Sequence, residues 1–362
     1  MVAALRSERI QSETPQQRVV RIMIVDDSLT VRTVFTRMLQ REDEMRLVTT
    51  ANTAEKGIEA LASHEIDVIM LDLEMPGMGG IEALPKLQAA APKAQILVIS
   101  SLTADGAEHT VKALSLGAAD TMLKPRPGGF NDDYRDTLLG KIRALAGVDA
   151  AAARPAAPVA VAPKRLGKRP QVVAIGASTG GIHALNLFLR KVPENFDLPI
   201  LITQHLPDSF IPVFAKQMEM AARRPAVLAD EGVEIRRGEI IIAPGHGHMV
   251  VRKSGGRVVC GLAYHPVRSG CMPSVDPMFE TLAEAYEGQV AAVLLSGMGR
   301  DGTEGAQAIA AAGGSIYAQS AETCAVWGMP RAVTEMGLAV AALPPEELAE
   351  KVLSSAGADA WA

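Results

Sequence analysis

The sequence predicts two consecutive α/β domains, each built on a parallel β-sheet and the first of them doubly wound. Three observations lead to that expectation. Short aliphatic runs alternate with amphipathic segments from about residue 19 to residue 145, which is the rhythm of successive βαβ units. The stretch VDAAAARPAAPVAVAPKRLGKRP, residues 148–170, then breaks the rhythm with four prolines and no amphipathic period. A second α/β alternation begins at Gln171 with different punctuation, so the halves are not copies of one unit. A chain of 362 residues is too long for one ordinary core and about right for two.

In the first half, strands are expected over 20–25, 46–51, 67–71, 95–100 and 121–123, where β-branched and aliphatic residues concentrate. Helices are expected over 29–40, 54–63 and 107–116, where apolar residues recur three and four apart, the last stopping at Gly117. Pro155, Pro158 and Pro163 exclude a helical hairpin in the interruption, which reads as a linker. In the second half, strands are expected over 171–175, 199–203, 239–243, 289–296 and 314–318, with a helix over 182–191. Residues 249–262 read as a hairpin turning at Gly255-Gly256. The expected organisation is one domain over 19–146, a linker over 147–170 and a second domain over 171–356.

Composition narrows the function. Hydrophobic residues are 48% and charged residues 21% of the chain, as in a globular protein. A net charge of -5, with no dense basic helix in the second half, argues against nucleic acid as a partner. Cys260, Cys271 and Cys324 are odd in number and lack metal-ligand spacing, so neither a disulfide framework nor a structural zinc site is expected. Arg6, Glu8, Arg9 and Glu13 stand where a signal peptide needs an apolar core, and no run approaches the ~18 apolar residues of a span. A cytoplasmic location without membrane insertion is expected.

The first constellation lies at strand ends. Asp26 and Asp27 follow one expected strand, Asp72 follows another, Ser100 and Ser101 close a third, and Lys124-Pro125 follows a fourth. In a parallel sheet these positions meet at the carboxyl edge, where doubly wound folds hold ligands. Three carboxylates offer hard oxygen ligands to Mg²⁺, one of them can act as nucleophile, and a lysine and a hydroxyl can neutralise a phosphoryl group. Residues 20–145 closely resemble response-regulator receiver domains. The resemblance implies a flavodoxin-like fold, Asp72 as phospho-acceptor, Mg²⁺ held by Asp26, Asp27 and Asp72, and phosphoryl contacts from Ser100 and Lys124. It also implies a cis peptide before Pro125. Many receivers carry an aromatic residue three positions before the lysine; here that position is Thr121, so an aromatic rotamer switch is not expected.

The second constellation begins at Gly176-Ala177-Ser178-Thr179-Gly180-Gly181, between an apolar strand and a helix. Two readings fit: a nucleophilic serine on a strand-to-helix turn, or a glycine-rich loop holding an anion at a helix N-terminus. His205 closes the next strand at the same sheet edge and could take the proton of Ser178. Asp301, in Gly297-Met298-Gly299-Arg300-Asp301-Gly302, could hold that imidazole or cap the following helix. Asp276 and Pro277 in Pro273-Ser274-Val275-Asp276-Pro277 read as N-cap and first residue of a helix. His246 and His248, two apart in a glycine-rich loop, are weak as a metal pair.

The segments GASTGG, TQH, PSVDPMF and GMGRDG together resemble the chemotaxis response-regulator methylesterases, the CheB family. The resemblance implies a C-terminal α/β parallel-sheet methylesterase domain with Ser178 as nucleophile, His205 as base and Asp301 as its orienting acid. It further implies a backbone N–H of Met298 in the oxyanion hole and Thr179 shaping the site. The implied activity is phosphorylation-activated hydrolysis of glutamyl methyl esters, with glutamine deamidation as a second reaction and no cofactor for the esterase. The implied partners are a chemotaxis histidine kinase as phosphodonor and methyl-accepting receptors as substrate. The competing reading is a non-catalytic response regulator whose second domain binds a partner or nucleotide.

Overall fold

Strands β1 (Val20–Val25), β2 (Met45–Ala51), β3 (Val68–Asp72), β4 (Gln95–Ser100) and β5 (Asp120–Leu123) form an all-parallel sheet in the order β2-β1-β3-β4-β5. This is the flavodoxin-like order. The computed structural model describes residues 18–101, 103–125, 129–148 and 167–357. The N-terminal charged segment and most of the expected linker lie outside the described residues.

β1, β3 and β4 are apolar over nearly their whole length because helices cover both faces of the sheet. Those helices are α1 (Leu29–Leu39), α2 (Ala54–Ala60), α3 (Gly79–Ala90), α4 (Ala104–Ser115) and α5 (Asp132–Ala146). Ser28, Thr53, Thr103 and Asn131 cap four of them by accepting a backbone N–H two or three residues into the helix. α3 and α5 were not anticipated. Pro85 lies inside α3, which starts without a side-chain cap.

The second unit holds a seven-stranded sheet. Its strands are β6 (Val172–Ala177), β7 (Ile200–Gln204), β8 (Ala226–Leu228), β9 (Ile240–Ile242), β12 (Val290–Leu294), β13 (Ser315–Gln319) and β14 (Ala339–Leu343), in the order β14-β13-β12-β6-β7-β9-β8. All adjacent pairs are parallel. β10 (His248–Ser254) and β11 (Arg257–Ala263) form the anticipated hairpin, turning at Gly255 and Gly256 with φ of 56° and 79°. Helices α6 (Gly181–Lys191), α7 (Ile211–Ala222), α8 (Val275–Ala285), α9 (Thr303–Ala311), α10 (Met329–Glu335) and α11 (Pro345–Ser355) surround the sheet. β8, β14 and helices α7, α10 and α11 are additions to the sequence reading, which places helix starts near Pro277 and after Asp301. The strand order reverses around β6, whose successor β7 lies on one side and β12 on the other. That switch point is where an open α/β sheet leaves a crevice at its carboxyl edge.

The basic end of the expected linker is part of the second unit. Lys168 N donates to Gly313 O at 2.8 Å, Lys168 Nζ to Glu287 O at 2.8 Å, and Arg169 Nε to Ala356 O at 2.9 Å. Two further expectations change. The only cis peptide among the described residues is Met272–Pro273, so the bond before Pro125 is not cis. Trans is the favoured form by about 0.5–1 kcal/mol, and from it Lys124 still reaches Asp72. Ser274, not Asp276, caps α8: its hydroxyl oxygen accepts Asp276 N–H at 3.3 Å, while Asp276 sits inside the first turn with Pro277.

Candidate active site

Ser178, His205 and Asp301 follow β6, β7 and β12, three adjacent strands, so the parallel register delivers them to one point. Ser178 Oγ lies 3.1 Å from His205 Nδ1, and His205 Nε2 lies 2.7 Å from Asp301 Oδ2. The imidazole thus bridges the hydroxyl and a carboxylate only 1% exposed. In this orientation Nε2 faces Asp301 and Nδ1 faces Ser178, and in its neutral form the ring can donate Nε2–H to the carboxylate and accept the serine proton at Nδ1. The ring is turned over relative to the usual serine-protease arrangement, with the same chemical capacity at its two ends.

The turn that holds Ser178 is built by close approaches. Ser178 N donates to Ser296 O at 3.0 Å, and Gln204 Nε2 donates to Ser178 O at 3.0 Å. A Cβ on Gly297 would stand 2.4 Å from Met329 Sδ and 2.9 Å from Ser178 Cβ, so only glycine lets the loop after β12 touch the serine. Met298 next to it is exposed, and its side chain points away from the core. Ser178 N is already occupied, which leaves the oxyanion role to another backbone N–H.

Asp301 does not cap α9; Gly302 begins that helix without a side-chain bond. Its carboxylate instead accepts Ser274 Oγ at 2.6 Å and Val275 N at 2.7 Å in addition to His205. Ser274 is held in turn by His248, whose Nδ1 accepts Ser274 N at 3.0 Å while Nε2 faces His265 O at 3.0 Å. Neutral imidazole satisfies both bonds. His246 turns elsewhere, to Asp208 at 3.0 Å, so the two histidines do not converge on a metal. Ser274, His248 and the buried Asp276, which accepts Gly305 N at 2.8 Å, are the supporting residues that the sequence reading missed or misassigned.

Electrostatics follow from this packing. Burial opposes charge on both partners, but the short bond between them outweighs it. Asp301 is held far below the ordinary carboxylate range despite burial by its bonds from His205 and Ser274. Against desolvation, His205 is pushed up to about 9 by Asp301 and by Cys271, a neighbour contributed by the loop before Ser274. Burial, offset by N–H donation from Gly305, raises Asp276 to about 7 beside the charged Asp301. An imidazole so stabilised as its cation is a poor base at neutral pH in this conformation.

The first constellation also converges. Lys124 Nζ donates to Asp72 Oδ2 at 2.5 Å and stands 3.5 Å from Asp26 Oδ2. Asp26 and Asp72 are buried, Asp27 is exposed, and one oxygen from each of the three lies within 4.8 Å of the others. Asp26 Oδ2 has no hydrogen-bond partner, so an oxygen-seeking cation would satisfy a buried acceptor that the protein leaves open. Burial raises Asp72 to about 6 although Lys124 opposes the shift. Ser100 is buried with its hydroxyl 3.4 Å from that of Thr121.

The two sites share a wall. The first unit lies across the crevice that holds Ser178 and His205, leaving a cleft of about 540 Å³ lined by Asp120, Lys124 and Lys141 on one side and Ser178, His205 and Leu206 on the other. Thr179 Oγ1 donates to Asp120 Oδ2 at 2.6 Å, Gly180 N to Ala119 O at 2.5 Å, and Lys141 Nζ to Asp120 Oδ2 at 2.6 Å. Asn186 Nδ2 also donates to Ser115 Oγ at 3.3 Å. Thr179 and Gly180, which follow Ser178, are therefore tied to β5, which carries Thr121 and leads to Lys124, and to the residue before it.

Comparison with known proteins agrees with this architecture. The family model for CheB methylesterase matches residues 173–352, and that for the response regulator receiver domain matches residues 22–129. A protein-glutamate methylesterase/protein-glutamine glutaminase 1 of Rhodospirillum rubrum is 38% identical over 93% of this chain and 95% of its own length. The chain belongs to the CheB methylesterase family. Another relative, protein-glutamate methylesterase/protein-glutamine glutaminase 2 of Caulobacter vibrioides, is 42% identical over 93% of this chain and 99% of its own. Among solved structures, the CheB methylesterase catalytic domain of Thermotoga maritima is similar with a TM-score of 0.50 and 35% identity, covering 51% of this chain and 98% of that one. The family assignment does not favour the non-catalytic alternative. Among the described residues no helix is long and apolar enough to cross a membrane.

Proposed function

We propose that this chain is a phosphorylation-activated protein-glutamate methylesterase, with protein-glutamine glutaminase as its second reaction, organised as a receiver over 19–146, a linker over 147–170 and a catalytic domain over 171–356. The observation that carries the reading is the Ser178–His205–Asp301 contact chain at the switch point of the second sheet. Ser178 Oγ attacks the γ-carbonyl of a glutamyl methyl ester while His205 Nδ1 takes its proton. Asp301 stabilises the resulting imidazolium through Nε2–H. His205 returns the proton to methoxide, methanol leaves, and water, activated by the same imidazole, frees the glutamate. A glutamine side chain follows the same path with ammonia as leaving group. Developing negative charge on the carbonyl oxygen is assigned to the backbone N–H of Met298, with Thr179 shaping the neighbouring wall.

In the receiver, Asp72 is the phospho-acceptor, Ser100 and Lys124 contact the phosphoryl group, and Asp26, Asp27 and Asp72 would hold Mg²⁺. The cation would neutralise phosphate oxygens as the Asp72 acyl phosphate forms. A histidine kinase of the chemotaxis system supplies the phosphoryl group, methyl-accepting receptors are the substrate, and the cytoplasm is the working compartment. The receiver keeps the crevice closed until Asp72 is modified. Phosphate on Asp72 draws Lys124 and Ser100 toward itself, displaces β5 and loosens the hold of Asp120 on Thr179.

Removal of residues 1 to about 165 is the test of that control. The fragment is expected to release methanol from methylated receptor membranes faster than the unphosphorylated full chain, and Asp72→Asn to keep the basal rate while losing activation by phosphodonor. A fragment no faster than the full chain would rule out inhibition by the receiver.

A further inference from the structure

Beyond its effect on the charge of His205, Cys271 has no part in the reaction above, yet its thiol stands beside His205 and Asp301. Cys271 Sγ, a ring nitrogen of His205 and a carboxylate oxygen of Asp301 all lie within 4.8 Å of one another. The other thiols are elsewhere: Cys260 is fully buried on the hairpin strand β11, and Cys324 accompanies Ser296 on the far side of the β12 loop. The position of Cys271 is fixed rather than incidental. Three residues downstream, Ser274 is pinned by His248 N-acceptance and by its own bond to Asp301, and the intervening Pro273 is buried. Apart from its interaction with His205, the thiol makes a long 3.8 Å approach to Ser269 O.

The donor set is chemically selective. One thiolate, one imidazole and one carboxylate suit a borderline-soft divalent ion and do not suit Mg²⁺, which takes oxygen ligands. We propose that His205, Cys271 and Asp301 form an inhibitory site for a divalent cation of the zinc class, distinct from the carboxylate site of the receiver. Tetrahedral zinc with bonds of about 2.0–2.3 Å places its ligand atoms roughly 3.3–3.6 Å apart. His205 Nε2 and Asp301 Oδ2, now 2.7 Å apart, need separate by less than about 1 Å to admit the ion, and the 4.8 Å limit on the set leaves Cys271 within reach after a small side-chain rotation. Binding releases the thiol proton and, from a doubly protonated ring, the proton on Nε2, whereas a neutral ring keeps its single proton on Nδ1. With Nε2 coordinated, the cation replaces the carboxylate as partner of the ring, and the neutral imidazole carries its one proton on Nδ1, which then has no lone pair to take the Ser178 proton. Open positions on the metal would be filled by water.

The inhibitory half of the proposal rests on His205 acting as base, whereas binding itself does not, so the experiment reads both. Full-length protein, with excess Mg²⁺ to fill the receiver site, is titrated with Co²⁺ as a spectroscopic probe and with Zn²⁺ in the methanol-release assay. A thiolate-to-cobalt band is expected in the native chain and in Ser178→Ala, and is expected to vanish in Cys271→Ser. Zn²⁺ is expected to stop turnover of the native chain reversibly, with recovery on adding a chelator. Cys271→Ser, with Zn²⁺ sensitivity scored relative to its own metal-free rate, is expected to require at least about tenfold more Zn²⁺ for half-inhibition, since even a residue supporting a ligand is worth about 10–100-fold in affinity. Absence of the band from the native chain overturns the site. A band without inhibition overturns the inhibitory role, and equal Zn²⁺ sensitivity of the native chain and Cys271→Ser shows that the metal acts elsewhere.

Discussion

Asp120→Ala should raise the unphosphorylated activity, because Asp120 is where the receiver grips the turn that carries the nucleophile. Its Oδ2 accepts Thr179 Oγ1 at 2.6 Å across the boundary between the two units, from a side chain 13% exposed. The ion pair with Lys141 lies within the receiver and survives in an open arrangement, so its loss cancels between the two states. What remains is one short bond to a charged acceptor, a class with a net value of about 1.5–3 kcal/mol. Partial exposure favours the lower end. At about 1.4 kcal/mol per factor of ten, the open fraction should rise about tenfold, and the basal rate with it while the open state is the minor one. The bond from Gly180 N to Ala119 O is untouched, so the enzyme should remain activatable. Methanol release from methylated receptor membranes, measured with and without phosphodonor, reads both rates. The reasoning fails if the folded variant's basal rate stays within about twofold of the native rate, since a bond of this class cannot be so nearly neutral if it closes the crevice.

Two further outcomes follow from the site. His205, pushed up to about 9 by Asp301 and Cys271 against desolvation, is protonated at neutral pH in the closed chain, and only its neutral form can take the Ser178 proton. The unphosphorylated rate should therefore climb with pH until it levels off above about 9; a rate flat between neutrality and that point would contradict the assignment of the base. Ser274→Ala removes a buried 2.6 Å donor from Asp301 and leaves Val275 N and His205 as its partners. Loss of a bond to a charged group, worth about 1.5–3 kcal/mol, should lower kcat about tenfold or more with little change in KM, and a variant altered in KM alone would place Ser274 in substrate binding instead.

Both sheets were legible in the sequence because parallel strands buried on two faces are written as short continuous apolar runs, as in VRIMIV of β1 and VVAIGA of β6. Helix α3 was not, since Pro85 inside it and the missing side-chain cap erase the usual signals. Helix α5 did carry signals, Asn131 at its start and the left-handed Gly147 at its end, but it sits beside the proline-rich interruption that dominates local composition. Ser178, His205 and Asp301 could be nominated because each follows a strand and strand ends meet at one edge. Ser274, His248 and Cys271 could not. They arrive on a hairpin and a long loop whose path over the edge is set by tertiary packing. Asp276 was misread for a related reason: the true cap, Ser274, gives its hydroxyl proton to Asp301 while accepting from the helix. Asp120 gave no signal at all, because its meaning depends on a partner 59 residues away in the other unit.

The most direct measurement is methanol release by Ser178→Ala in the presence of phosphodonor and methylated receptor membranes, alongside the native chain. A phosphorylation-controlled serine methylesterase predicts turnover by the native chain and none above background by the variant, with Asp72 phosphorylated equally in both. Methanol release by Ser178→Ala at the native rate would contradict the account at its centre.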